Sequence, residues 1–338
     1  MKTFVIDAPG KFSFREKLIP SLAPGEVLLR VKRLGFCGTD LNTFRGSNPL
    51  VDYPRIPGHE IGAVIDDVAE GVPSNLKIGT EVTVVPYTTC GTCSACRSGR
   101  PNACRYNQTL GVQQDGAFTE YITAAWEKIV PARLGLSELA LVEPLAVGFH
   151  AAARGRVAKE DTVLVFGCGM IGLGAIAASA LYRNANVIAV DIADAKLALA
   201  TKAGAKHTIN SRTTPLHERI LELTDGHGPD VVIEAVGSPQ TFVSAVEEVS
   251  FAGRVVYIGY SKVPVSYDTK VFILKELDIL GSRNSTAADF RAVVEMLEAG
   301  RYPVEATITR TVPFADAGAA LAAWAGDPES ITKIHIEV

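Results

Sequence analysis

The 338-residue sequence has no run of lysine and arginine, no low-complexity tract and no internal repeat. Its formal net charge is −4, and without a basic stripe we do not expect a nucleic acid as a partner. Early in the chain, Asp7, Pro9 and Lys11 interrupt the apolar residues before a signal-peptide core could form. We therefore expect no secretory signal and a cytoplasmic location. The composition is typical of a soluble globular protein.

A stretch without any charged residue, residues 162–182, is long enough to cross a bilayer. Its glycines cluster in one turn, no aromatic belt or asymmetric lysine and arginine flank borders it, and a strand-like run follows immediately. We therefore predict a buried strand, a turn and a buried helix here, and no membrane span.

The length of the chain exceeds what one hydrophobic core usually serves, so two domains are expected. Residues 1–146 contain short, β-branched or alternating apolar runs broken by proline and glycine, which are typical of a small barrel or sandwich. From about residue 147 to 282, strand-like runs alternate with helical patterns and supply six strands, which predicts an α/β fold with a doubly wound parallel sheet. Two helix starts are predicted by capping residues, Thr214 before Pro215 and Thr286 with Asp289.

The glycine turn in the charge-free stretch predicts a dinucleotide site. Gly167, Gly169 and Gly172 have the G-x-G-x-x-G spacing, which allows a tight turn, a close approach of a pyrophosphate and close packing of helix on strand. The helix that opens at about Met170 would point its free N–H groups, among them that of Ile171, at that phosphate. Asp191 ends the next strand, where a carboxylate binds the adenosine ribose and repels a 2′-phosphate, so NAD is favoured over NADP.

Four of the six cysteines lie within fifteen residues of one another, at Cys90, Cys93, Cys96 and Cys104. Four thiolates this close in sequence can surround one tetrahedral zinc ion and leave no place for water, which is typical of a structural site. Buried free thiols or a redox pair are the alternatives, but in a reducing compartment the spacing favours the metal.

A second constellation precedes the cysteine cluster. Cys37 in GFCGTD, and His59 with Glu60 in PGHEIG, stand beside glycines that allow a side chain to point into a cleft. A lone cysteine or histidine is usually a packing residue, but three ligands with an open position make up a catalytic zinc site. Glu143 is a further candidate, because an acid in an apolar stretch needs a metal, a proton or a partner, and His150 shortly after it is left open.

Together these motifs resemble the zinc-containing medium-chain dehydrogenase/reductase family over the whole chain. CGTD, PGHE, the cysteine cluster, VEPLAVGFH and GCGMIG occur in that family's order. The resemblance implies a GroES-like β-barrel catalytic domain formed by residues 1–146 and 285–338, a Rossmann domain at residues 147–284, and a homodimer or homotetramer. The GHE and EPLAV patterns are similar to those of polyol and sorbitol dehydrogenases, threonine dehydrogenases, and sugar-acid dehydrogenases such as L-galactonate and L-gulonate 5-dehydrogenases.

By matching motif, the resemblance implies that the cysteine, histidine and glutamate of the second constellation ligate a catalytic zinc, with Glu143 reaching the metal directly or through water. Thr39 matches the hydroxyl that begins a proton relay. Threonine dehydrogenases have a histidine three residues after that threonine, where this chain has Asn42. The proton must therefore leave by ribose hydroxyls, water or another acid.

The implied activity is oxidation of a secondary alcohol of a polyol or sugar acid, in which zinc polarises the substrate oxygen and NAD takes the hydride. Arg283 and Asn284 follow the sixth sheet strand, and ligands of doubly wound sheets bind beyond the carboxyl ends of strands. A guanidinium can bind a carboxylate through two hydrogen bonds, so Arg283 is a candidate for binding the substrate. An acid at the sheet end or a cofactor phosphate is the alternative partner of Arg283. The other walls of the substrate site would be polar, since they would be formed by Thr43, Asn42 and Gln113.

Rival functions follow from the same residues. A threonine 3-dehydrogenase or a general alcohol dehydrogenase would share the zinc and NAD sites. A zinc-free NADPH reductase would not be expected to retain Cys37, His59, Glu60 and Asp191. A structural or sensor protein built on an inactive dehydrogenase fold is a different class, and the complete ligand sets argue against it.

Overall fold

The computed structural model describes residues 1–338, and the chain forms two compact units. The first unit contains Met1–Glu143 and Val304–Val338, and the second contains Pro144–Pro303. The end of the chain rejoins the first unit because its last strand pairs antiparallel with an early one, with Ile334 opposite Phe36.

The secondary structure comprises fifteen strands and eleven α-helices. The strands are β1 (Lys2–Ala8), β2 (Lys11–Glu16), β3 (Glu26–Phe36), β4 (Glu60–Val68), β5 (Glu81–Val84), β6 (Tyr121–Ala125), β7 (Ile129–Pro131), β8 (Thr162–Phe166), β9 (Asn186–Asp191), β10 (His207–Asn210), β11 (Val231–Glu234), β12 (Arg254–Tyr257), β13 (Asp278–Gly281), β14 (Ile308–Pro313) and β15 (Lys333–Glu337). The helices are α1 (Gly38–Phe44), α2 (Ser94–Arg97), α3 (Leu136–Arg154), α4 (Met170–Ala177), α5 (Asp194–Lys202), α6 (Leu216–Leu223), α7 (Pro239–Glu248), α8 (Lys270–Leu274), α9 (Ala287–Glu298), α10 (Val304–Thr307) and α11 (Ala317–Gly326).

The first unit is built on one large, mostly antiparallel sheet in the order β14-β15-β3-β4-β5-β7, and β6 also pairs with β3. In β3, Val27 and Leu29 are buried and alternate with more exposed residues, as expected for a strand with one face on a core. Phe36, at the end of β3, stacks on Phe118 with ring centroids 4.4 Å apart. Because Cys37 follows Phe36 directly, this packing holds the chain where the first candidate metal ligand lies.

The second unit is a parallel sheet in the order β10-β9-β8-β11-β12-β13 with helices between its strands. That is the strand order of a Rossmann fold, and the order reverses between β8 and β11, where such folds bind dinucleotides beyond the carboxyl ends of the strands. The predicted α/β fold class is confirmed.

The charge-free stretch forms β8 and α4, and one π-helical turn, Ala178–Tyr182, continues α4. Leu164, Val165 and Ile176 are completely buried in the protein, as predicted. One helix, α3, is long and apolar enough to cross a membrane, but 72% of its apolar window is buried inside the protein, which is typical of a core helix.

The second unit extends to Pro303, beyond the predicted boundary at residue 284. Helix α9 accounts for the difference, because its Phe290 and Val293 are completely buried and its Asp289 lies 2.9 Å from His150 Nδ1 in the same unit. This pair also answers the open question about His150, which serves packing of the Rossmann unit and is no part of the candidate metal group.

The two predicted helix caps differ in outcome. Thr286 accepts a hydrogen bond from the backbone of Asp289, whose carboxylate accepts one from the backbone of Thr286, so this cap is confirmed. The cap at Thr214 is wrong: Pro215 occupies the cap position without any side-chain bond. The backbone N–H of Thr214 instead donates to Asn210 O in the preceding turn.

Candidate functional site

The candidate metal group forms where two neighbouring strands of the first unit meet. Cys37 follows β3 and caps α1, while His59 immediately precedes β4, which begins at Glu60. Since β3 and β4 are antiparallel partners with Gly35 opposite Glu60, the end of one strand lies beside the start of the other. One ligand atom from each of the three predicted residues lies within 4.8 Å of the other two.

The histidine of this group has an unsatisfied nitrogen. His59 is 4% exposed, and its Nδ1 is buried without a hydrogen-bond partner. Burial disfavours a charge on the ring, yet the sulfur of Cys37 and the carboxyls of Glu143 and Asp40 outweigh it and raise the pKa of His59 well above its usual value. The surroundings therefore favour positive charge, and a sulfur, an imidazole nitrogen and a carboxylate suit zinc.

Glu60 is completely buried and is held by a residue from the far end of the chain. The Nζ of Lys333 lies 2.6 Å from both carboxylate oxygens of Glu60 and donates to Phe36 O at 3.0 Å. A Cβ on Gly35 would overlap the Glu60 carboxylate, so the glycine creates the space that the carboxylate fills.

Glu143 stands next to the three-residue group without being part of it. It is 3% exposed, and it accepts a hydrogen bond from the hydroxyl of Tyr87. Burial raises the pKa of Glu143, and the nearby His59 opposes that rise. The prediction that an acid at this position needs a partner is met by Tyr87.

Asp40 and Thr39 lie in the first turn of α1. The carboxylate of Asp40 accepts a hydrogen bond from the backbone N–H of Cys37 at 2.8 Å, which fixes the start of the helix, and burial raises the pKa of Asp40. Thr39 Oγ1 lies 3.6 Å from Cys37 Sγ. The side chain of Asn42 accepts a hydrogen bond from Ser47.

Sequence reasoning missed three buried residues of this site, Asp40, Tyr87 and Lys333. Asp40 had a local signal, because an acid three residues after a helix cap commonly bonds back to the cap. The other two had none, since the contact of Tyr87 with Glu143 and that of Lys333 with Glu60 join residues 56 and 273 positions apart.

The predicted cysteine cluster also assembles. All four ligand sulfurs lie within 4.8 Å of one another, and Cys93 Sγ is 3.5 Å from Cys96 Sγ and 3.9 Å from Cys104 Sγ. The four cysteines form no disulfide. Hydrogen bonds from Thr92 and the backbone of Cys93 lower the pKa of the Cys90 thiol to about 6, which favours the thiolate that binds metal. The cluster fits one tetrahedral zinc ion.

The glycine turn joins β8 to α4 in the second unit. Gly167 has a φ of 89°, and a Cβ on Gly172 would overlap the Gly167 carbonyl, so the turn requires both glycines. Gly169 caps α4 without a side-chain bond, and the space around its Cα is open. The free N–H groups of the first turn, including that of Ile171, are therefore available to an anion.

Asp191 ends β9 beside this turn, as predicted. Its Oδ2 accepts a hydrogen bond from the backbone N–H of Cys168 at 2.8 Å, and its Oδ1 accepts from Ile192 and Ala193. The carboxylate thus braces the glycine turn from the neighbouring strand. Carboxylate oxygens accept more than one hydrogen bond each, so the side chain can still receive ribose hydroxyls.

The four residues predicted to contact substrate lie in different units. Thr43 is buried, and its hydroxyl donates to Thr39 O and accepts from Asn48. Gln113 Oε1 accepts from the backbone N–H of Thr109. The hydroxyl of Thr43 and the side-chain oxygen of Gln113 are thus engaged within the first unit.

Arg283 and Asn284 belong to the second unit and follow β13. Arg283 is exposed, and Asn284 has a left-handed backbone with a φ of 52°. The residues therefore lie beyond the carboxyl end of the sixth strand of the Rossmann sheet.

Comparison with known proteins identifies both units. Residues 23–134 match the model of the alcohol dehydrogenase GroES-like domain, and residues 171–299 match that of the zinc-binding dehydrogenases. The starvation-sensing protein RspB of Escherichia coli K12 is 35% identical over 99% of this chain and 98% of its own. L-galactonate-5-dehydrogenase of the same organism is 33% identical over 93% of this chain and 92% of its own.

Solved structures agree with the sequence relatives. The crystal structure of an alcohol dehydrogenase (rspB) of E. coli CFT073, complexed with NADH, has a TM-score of 0.92 and 34% sequence identity, and the match covers 100% of this chain and 99% of that one. These matches confirm the resemblance and the fold class predicted from the motifs, and they favour an enzyme over an inactive relative. The chain belongs to the family of zinc-binding alcohol dehydrogenases with a GroES-like domain and a Rossmann domain.

Proposed function

We propose that the protein is a zinc- and NAD-dependent dehydrogenase that oxidises a secondary alcohol of a polyol or sugar acid. The observation that carries the proposal is the group of half-buried Cys37 with buried His59 and Glu60, in which an unpaired imidazole nitrogen lies in surroundings that favour a cation. The similarity to an enzyme named for L-galactonate supports a polyhydroxylated substrate.

Within this proposal, Cys37, His59 and Glu60 would hold the catalytic zinc, and Glu143 would reach it directly or through water. When bound, zinc supplies a Lewis acid that lowers the pKa of the substrate hydroxyl. Glu143 is oriented by the hydroxyl of Tyr87. Cys90, Cys93, Cys96 and Cys104 hold a second, structural zinc, and their freedom from disulfides fits a reducing compartment such as the cytoplasm.

The Rossmann unit holds NAD. The pyrophosphate would lie at the start of α4, against the backbone of the glycine turn. Asp191 would accept hydrogen bonds from the adenosine ribose and repel a 2′-phosphate, which favours NAD over NADP. When bound, NAD would supply the hydride acceptor, and the protein contributes the position and the charge around it.

The path of the proton begins at Thr39, whose hydroxyl lies beside Cys37 Sγ. Asn42 cannot take a proton onward, and its side chain is engaged with Ser47. Ribose hydroxyls, water or another acid would therefore complete the relay.

Arg283 is our candidate for holding a substrate carboxylate, with Asn284 beside it. Its exposed position after β13 supports this role, whereas pairing with an acid at the sheet end or with a cofactor phosphate is the alternative. Arg283→Ala should raise KM for an aldonate and leave KM for a neutral polyol and for NAD unchanged. An unchanged aldonate KM, or a raised NAD KM alone, would remove this arginine from the substrate site.

We also propose that the protein is a homodimer or homotetramer. β13 is an edge strand of the Rossmann sheet, and α8 directly before it buries none of its residues, with Ile273 82% and Leu274 68% exposed. An open edge beside exposed apolar side chains is a pairing surface. Light scattering should give at least twice the chain mass, and Ile279→Lys on β13 should lower it; a monomeric wild type would refute this.

The decisive test measures NADH absorbance over a panel of polyols and aldonates, together with the zinc content of the same preparation. We expect two zinc ions per chain and turnover of at least one member of the panel. Turnover of threonine or simple alcohols alone would favour those dehydrogenases, and loaded protein that binds NAD without any turnover would favour a structural or sensor role.

A further inference from the structure

Lys333 is one of the most buried side chains of the first unit. Its relative exposure is 1%, and that of Glu60 is 0%. The ammonium lies 2.6 Å from both oxygens of Glu60 and 3.0 Å from Phe36 O, the carbonyl directly before Cys37. Lys333 thus touches two of the three chain segments that would hold the catalytic metal.

Stability alone does not account for this pair. Two buried charges lose their hydration, and their attraction roughly offsets that loss, so apolar residues of similar size often serve a core equally well. On the lysine's own strand, Ile334 and Ile336 are completely buried, so apolar residues pack close to the charged pair. One member of this charged pair, Glu60, is a candidate metal ligand, which indicates that the other member, Lys333, has a role toward the metal.

We infer that Lys333 is a positioning residue that holds the Glu60 carboxylate in place in the absence of metal and competes with zinc for it. The inference rests on the proposed function. Zinc and the ammonium would draw on the same two oxygens, so the lysine weakens the hold of Glu60 on the metal. It also keeps the carboxylate compensated whenever zinc is not bound.

The surrounding charges make the effect large. The sulfur of Cys37 and the carboxyl groups of Glu60, Glu143 and Asp40 lie around the group, and the ammonium of Lys333 contacts Glu60 directly. Removing one positive charge next to the metal site should tighten zinc binding by at least about 10-fold, even at an effective dielectric constant of about 20.

The experiment follows the release of zinc from the complete, zinc-loaded protein to a colorimetric chelator. Lys333→Met removes the charge at similar length, and Lys333→Arg retains it. We expect Lys333→Met to slow release of one zinc by at least about 10-fold. Lys333→Arg, which retains the charge, should release zinc within about threefold of the wild-type rate. Release of the second zinc, from the cysteine cluster, is the internal reference and should not change.

A second background separates action through Glu60 from a general charge effect. In Glu60→Gln protein, the neutral amide no longer needs the ammonium, so adding Lys333→Met should change zinc release by less than about threefold. This double variant also replaces the pair by two uncharged residues and keeps a folded comparison if the single Lys333 variant is unstable without metal.

Equal effects of Lys333→Met in both backgrounds, or no effect in either, would overturn the inference and leave Lys333 a packing residue. A wild type that binds zinc only at the cysteine cluster, with zinc content unaltered by Cys37→Ser, would overturn the proposed function and the inference together.

Discussion

Gly35→Ala tests the geometry at the centre of the candidate site. Gly35 lies opposite Glu60 in the pairing of β3 with β4, and a Cβ there would overlap the Glu60 carboxylate. The carboxylate has no free direction in which to move, because Lys333 holds both of its oxygens and neither side chain is exposed. The added methyl group must therefore strain the backbone or break the ion pair.

The expected loss of folding free energy follows from these two outcomes. Overpacking a core costs about 1–3 kcal/mol, and separating a buried ion pair costs about 3–5 kcal/mol. A loss of about 3 kcal/mol would lower the Tm of a unit of this size by about 6–12 °C. The displaced carboxylate should also lower zinc content at the catalytic site while the cysteine cluster remains filled.

Gly38→Ala is the matched control. Gly38 opens α1 next to Cys37, and a Cβ there meets no atom within 4 Å, so Tm and zinc content should remain those of the wild type. The assay is differential scanning fluorimetry paired with elemental analysis. If Gly35→Ala kept its Tm within about 2 °C of the wild type and retained two zinc ions, Glu60 would not occupy the position beside Gly35.

Three further predictions concern other parts of the molecule. Elemental analysis should find one zinc fewer in Cys93→Ser and in Cys37→Ser than in the wild type. Cys93→Ser should lower Tm, whereas Cys37→Ser should keep the wild-type Tm and abolish activity. The kcat/KM with NAD should exceed that with NADP, and Asp191→Gly should narrow the ratio; a wild-type preference for NADP would contradict the role of this carboxylate. Burial raises the pKa of Asp289, but hydrogen bonds from His150 and from the first turn of α9 outweigh burial and lower this pKa below its usual value of 3.8. The ionised Asp289 carboxylate therefore stabilises the fold above pH 3.8, and this stabilisation is lost as the pH falls through the lowered pKa. Asp289→Asn should therefore reduce Tm at neutral pH but not in acid, and an equal loss at both would show that the charge has no part.

Several features were predictable because their residues are close in sequence. The strand, glycine turn and helix of residues 162–182 and the four cysteines each draw on a short segment, so local spacing largely determines their geometry. The capping box of α9 is local in the same way. For these features, hydrophobic pattern and backbone sterics point to the structure that the chain adopts.

Tertiary structure decided the features that depend on distant contacts. Nothing near Thr214 or Pro215 signals that the helix cap would lack a side-chain bond. Likewise, the burial of Phe290 and the contact of Asp289 with His150, 139 positions away, keep α9 in the Rossmann unit.

The metal group shows the same division between local pattern and fold. Sequence motifs identified Cys37, His59 and Glu60 as candidate ligands, because each lies in a short segment bordered by glycine. Their meeting depends on the antiparallel pairing of β3 with β4, and the charge that compensates Glu60 comes from Lys333, 273 positions away on the last strand. The sequence near Lys333 gives no sign of its partner, because the strand around it alternates polar with apolar residues and contains no acid that it contacts. Only the folded sheet brings its ammonium to the Glu60 carboxylate.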